Sequence, residues 1–114
     1  MTPHARKQMA WIILALAGIL EIVWAICLKK SNGFTRFPFG LLAILISIAS
    51  IVLLALALRE IGLGTGYAIW TGIGAAGTAI AGIWLFQETA SPLRLFFIGL
   101  ILICIVGLRL TAKT

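Results

Sequence analysis

Glu21 is the residue around which chemistry can be organised. It lies near the middle of the apolar stretch MAWIILALAGILEIVWAICL, and no other carboxylate falls inside a long apolar run. An ionised side chain in a membrane helix is costly, so it faces a protein interior or a wet cavity and by default marks an ion or proton pathway. At the three- and four-residue spacing of one helix face, its neighbours are Ala17, Gly18, Trp24 and Ala25. Three of these are small and leave room for another helix or a small ligand. Trp24 supplies a flat ring and an indole N–H.

Two further pairs carry matching chemistry. Tyr67 and Trp70 form an aromatic face with polar tips, and Ser47 and Ser50 set two hydroxyls at the same spacing. Taken singly, the rings read as packing or interface anchors and the serines as backbone-bonded hydroxyls. Together with Glu21 they suit a planar polar cation, which wants a carboxylate to neutralise it, hydrogen-bond partners to orient it and aromatic walls to cover it. Other chemistries find no support. His4 stands alone near the N-terminus, and Cys27 and Cys104 lie in separate apolar stretches, so no metal site, cofactor or disulfide framework is assigned. Gly72, Gly74 and Gly77 match GxGxxG, but no strand precedes them and they sit in an apolar span, which removes the physical context of a nucleotide site. No catalytic triad is visible, and the chain does not read as an enzyme.

Elements that could position these residues follow from composition. The 114 residues are 62% hydrophobic and 11% charged, with a mean hydropathy of +1.18, far more apolar than a globular domain in water. An integral membrane protein of a single domain, residues 1–114, is expected. Four apolar runs, about 9–28, 37–58, 62–86 and 92–110, are each near the length that crosses the bilayer as a helix. So few segments could not close a barrel, so the fold class is all-α with four transmembrane helices. A bundle this small encloses a polar site poorly, which points to oligomerisation. In the third run, small residues recur at four-residue spacing (Gly62 and Gly66; Ala68, Gly72 and Ala76; Gly74, Thr78 and Gly82), a pattern that lets helices approach closely. Gly72 and Gly74 also lower helix propensity locally, and a bend is expected there.

The formal charge of +6 does not imply nucleic acid, because the basic residues lie at the ends of apolar runs, where they act as interfacial anchors and topology signals for the lipid bilayer. With four crossings, Arg6, Lys7, Arg59, Arg109 and Lys113 share one side, and Lys29, Lys30, Arg36 and Arg94 the other. So small a difference selects no orientation: either hydrophobicity or a partner decides it, or copies insert both ways and pair antiparallel.

The segments LEIVWA, LKKSNGFTR, GTGYAIWTGIG and the terminal GLRL together resemble the small multidrug resistance transporters over nearly the whole chain. The likeness is nearest to the guanidinium-exporter subtype, mainly through Trp24, where exporters of polyaromatic cations usually have glycine. The resemblance implies a multi-pass protein of the bacterial inner membrane working as an antiparallel homodimer, an eight-helix bundle that exchanges protons for guanidinium-like cations. It assigns Glu21 as the shared proton and substrate carboxylate, Trp24 and Ser50 as residues orienting it, and Tyr67 and Trp70 as lining; Ser47 has no counterpart in the pattern. A broader quaternary-ammonium exporter is the alternative. GAAGTAIAG is also similar to subunits that work only in pairs, so a heterodimer with a paralogue stays open. Three features depart from the pattern: Lys30 replaces a usual aromatic, Gly66 a usual alanine, and eight residues precede the usual start.

Overall fold

The computed structural model describes residues 1–112; Lys113, counted above with the termini, lies outside them. Four helices run in order: α1 Pro3–Lys30, α2 Phe37–Ala57, α3 Leu63–Phe86 and α4 Pro92–Thr111. Helix α1 begins six residues before the apolar run that predicted it. Thr2 caps it, its hydroxyl accepting from the Ala5 N–H at 3.1 Å, and Pro3 occupies the first turn, where its missing N–H costs nothing. Ser91 and Pro92 start α4 in the same way, with Arg94 N–H donating to Ser91 Oγ at 3.2 Å. Helix α3 ends where Gln87 enters the left-handed region and the Glu88 N–H reaches back to the Gly82 carbonyl at 3.1 Å, a closure that satisfies an otherwise orphaned carbonyl. All four helices are long and apolar enough to span a membrane.

The helices lie side by side in a layer. Helix α1 packs between α2 and α3, α4 packs on α3, and α2 and α3 barely touch. The extents, 45 × 35 × 18 Å, describe a flat body. Its core lies at the N-terminal half of α1, where Ala10, Leu14 and Ala17 meet Leu54 and Ala57 of α2, Ile69 of α3 and Ile61 of the α2–α3 turn. Helix α4 adds only Ile98 to the buried set, and its outer end is tied back by the Arg109 guanidinium, 4.2 Å from the centre of the Trp11 ring. Ile44, Ile48 and Ile51 on α2, and Phe96, Ile103 and Val106 on α4, face outward. Hydrocarbon solvates such side chains as readily as a protein core does, so a bilayer permits an arrangement that water would not.

Candidate functional site

Small residues bring α1 and α3 together, and Glu21 lies in the seam they make. Ile73 of α3 fills the space beside Gly18 of α1, while Ile22 of α1 fills the space beside Gly77 of α3. Between these contacts the Glu21 carboxylate rests on Gly74: a β-carbon there would come within 2.6 Å of Oε1 and 2.8 Å of Oε2. Gly72, two residues earlier, faces the other flank and admits Ile105 of α4. Helix α3 runs unbroken through both glycines. In this structure these glycines admit neighbours on opposite faces of α3.

Glu21 Oε2 and Trp24 Nε1 are both shut off from solvent, and neither has a hydrogen-bond partner among the described residues. They lie one turn apart on α1, and the expected bond from Trp24 to the carboxylate is not formed in this state. Uncompensated buried polar atoms are uncommon in native proteins and each calls for a physical reason. One lacks a donor and the other lacks an acceptor.

Ser50 takes a different place from the one expected of it. It is fully buried, and its hydroxyl donates to the Ala17 carbonyl at 2.7 Å while accepting from the Trp70 indole at 3.0 Å. In an α-helix the Ala17 carbonyl also accepts from the Glu21 N–H four residues on. Ser50 therefore holds the backbone that carries Glu21 and does not touch the carboxylate. Trp70 is held in turn against Tyr67, with ring centres 5.4 Å apart at 48°, and Tyr67 is about half exposed. Ser47 bonds within its own helix, to the Ile44 carbonyl at 2.8 Å. The sequence-derived set thus divides into a seam of Glu21, Trp24 and Gly74 and a chain of Tyr67, Trp70 and Ser50, joined through one carbonyl of α1.

No cation among the described residues pairs with Glu21. The two ion pairs among the described residues, Arg6–Glu60 at 3.0 Å and Arg94–Glu88 at 2.7 Å, lie at the ends of the helices, far along the chain from Glu21. Gly74 as the seat of the carboxylate was not foreseen; the signal available was the spacing of Gly74 and Gly77, which sets both on one face of α3.

A family model described as Small Multidrug Resistance protein matches residues 9–101. A guanidinium exporter of Citrobacter freundii is 52% identical over 103 residues, covering 90% of this chain and 98% of its own. One from Yersinia pestis is 52% identical over 104 residues, covering 91% and 100%, and one from Salmonella typhimurium is 51% identical over 104. The matched length takes in all of the seam and the Tyr67–Trp70–Ser50 chain, and the four spans account for how those residues are held: the chain belongs to the small multidrug resistance family and is a multi-pass membrane transporter of the bacterial inner membrane.

Proposed function

We propose that the protein exports guanidinium and small substituted guanidinium cations in exchange for protons, with Glu21 binding both. The observation that carries this reading is the Glu21 carboxylate seated on Gly74, with Oε2 shielded from solvent and without a donor. A guanidinium ion supplies a planar fork of N–H donors that matches a carboxylate, and a charge-assisted pair of this kind is stronger than a neutral hydrogen bond. Trp24 N–H, one turn away and without an acceptor, would bond the carboxylate after a side-chain rotation, fixing the carboxylate's orientation and limiting the size of the cation beside it. The names of the relatives, guanidinium exporters at about half identity, support the same substrate.

Coupling follows from competition. One carboxylate cannot hold a proton and a cation together, so loading guanidinium on one side releases the proton there, and protonation on the other side releases guanidinium. Two copies inserted in opposite senses, each contributing a Glu21, would place both carboxylates in a shared midplane site that alternates between the two faces. The near balance of basic residues between the faces and the large apolar surfaces of α2 and α4 support such an antiparallel dimer.

The test is reconstitution of this chain alone into liposomes carrying an internal pH indicator. A guanidinium gradient should drive proton movement in the opposite direction. Guanidinium flux without proton movement would mean a channel, and silence relieved only by a co-reconstituted paralogue would mean an obligate heterodimer. A rate for a bulky quaternary ammonium equal to that for guanidinium would favour the broader exporter.

A further inference from the structure

We propose that the pocket at the α1–α2 loop binds the phosphate group of an anionic membrane phospholipid. Lys29 and Lys30 at the end of α1, Arg36 just before α2, and Phe86 at the end of α3 converge there with Asn32 and Phe39 around a cavity of about 550 Å³. Three elements thus bring three cations and two phenyl rings to one level at the rim of the spans, where lipid headgroups lie.

Among the described residues, none of these three cations forms an ion pair with a carboxylate. The chain has three acidic side chains in all. Glu60 is taken by Arg6, Glu21 lies within the span, and Glu88 pairs with Arg94 while lining a neighbouring cavity with Lys29. Helix-end electrostatics account for Lys29 and Lys30, which sit in the last turn of α1 and favour its negative pole. They do not account for Arg36, which occupies the N-cap of α2 without a side-chain cap bond and adds positive charge to a pole that is already positive. An anion among the three resolves that repulsion.

The loop fixes the backbone from which Arg36 extends. Ser31 is fully buried; its hydroxyl donates to the Leu28 carbonyl at 2.6 Å and accepts from the Phe34 N–H at 3.0 Å, and its carbonyl accepts from the Arg36 N–H at 2.9 Å. Asn32, Gly33 and Phe34 all lie at positive φ, 49°, 67° and 66°. Such a run is uncommon, and for phenylalanine it is strained, so the turn is fixed by its surroundings and not by local preference. Lys30 Nζ lies 5.8 Å from the centre of the Phe39 ring.

Arg36 offers the fork that a phosphate oxygen pair accepts, and the lysines act as mobile point charges. The two phenyl walls choose between sources of that phosphate. They would be idle against inorganic phosphate, whereas a lipid brings glycerol and acyl carbons to meet them. Lys30 is one of the three cations. On the opposite face Arg6 is engaged by Glu60 and Arg109 stacks on Trp11, while among the described residues Lys7 and Arg59 line no common cavity. The proposal is independent of which cation the protein transports.

Native mass spectrometry of the purified protein tests it, with phosphatidylglycerol and phosphatidylcholine of identical chains in competition. Two variants remove the same charge from opposite faces: Lys30→Gln/Arg36→Gln and Lys7→Gln/Arg59→Gln. Wild type and the second variant should retain phosphatidylglycerol preferentially. The first should lose roughly fivefold in that preference for each basic residue removed. Stabilisation against heat by added phosphatidylglycerol should disappear in the same variant and serves as an independent readout. Equal loss in both variants would overturn the site, because it would mean attraction to net charge alone. Displacement of the bound lipid by millimolar inorganic phosphate would overturn the lipid assignment.

Discussion

The two halves of α1 meet their neighbours differently. Up to Ala17 the helix is sunk in an apolar core, and the polar groups that reach it are satisfied: Ser50 donates to the Ala17 carbonyl and accepts from Trp70. From Gly18 onward it meets the glycines of α3, and two of its buried polar atoms, on Glu21 and Trp24, have no partner. A satisfied polar network rigidifies its surroundings, while an unsatisfied one stores a preference for whatever completes it. The first half is an anchor that sets the position of the second, and the second is where the proposed function would have a ligand exchange.

That contrast can be broken most severely at Glu21. Glu21→Gln keeps the side chain's size and its seat on Gly74 but removes the titrating charge. Guanidinium-driven proton flux should fall to that of protein-free liposomes, with the elution volume and melting behaviour of the purified protein unchanged. Exchange at the wild-type rate in that variant would end the proposed mechanism.

Gly74→Ala tests the seat without touching the charge. The added methyl meets the far end of a flexible side chain, so the carboxylate can swing aside while the helices keep their packing. Transport should drop roughly tenfold, equivalent to about 1.4 kcal/mol, with stability little altered. Gly72→Ala, which meets Ile105 on the other face, should instead loosen α4 and lower stability. Identical behaviour of the two variants would mean that the glycines act as a flexible pair and not as separate contacts.

Ser50→Ala sharpens the anchor. It leaves the Trp70 indole N–H without its acceptor and should lower stability by about 1–3 kcal/mol, measured by denaturation in a fixed detergent or lipid. Loss of transport in proportion to stability would fit a backbone anchor. Loss of transport at full stability would mean that Ser50 reaches the carboxylate in another state of the cycle.

The smallest change is expected at Trp24. Trp24→Gly enlarges the space beside Glu21 and removes the one indole donor within a turn of it. The ratio of guanidinium to quaternary-ammonium transport should shift by a few-fold toward the bulkier cation, as expected where discrimination rests on the shape of a pocket. An unchanged ratio in a well-folded variant would make Trp24 a packing residue.

Much of the architecture was legible in the residues, because membrane spans are read from length and hydropathy alone. The helix ends at 37 and 92 follow from proline placement, as does the start of α1 at Pro3, whose Thr2–Pro3 signal was masked by the polar residues that precede the apolar run. Glu21 was legible for the same reason: in hydrocarbon a single carboxylate stands out against any background. Ser50 and Trp70 were legible as polar groups, but their partner was not. The Ala17 carbonyl is a backbone atom, and nothing in the letter for alanine distinguishes it from its neighbours.

The sequence by itself determined the solvent, the number of crossings and the identity of the one charge that hydrocarbon would have to accommodate, since each depends on side-chain polarity summed along one helix. The tertiary structure decided which face of α3 that charge meets, that Gly74 seats it while Gly72 turns to α4, and that Ser50 grips the backbone behind it. It also decided that Lys29, Lys30 and Arg36 share one pocket with Phe86, fifty or more residues away. The physical reason is that spacing along a helix fixes which residues share a face, but only the packing of one helix against another fixes what that face touches.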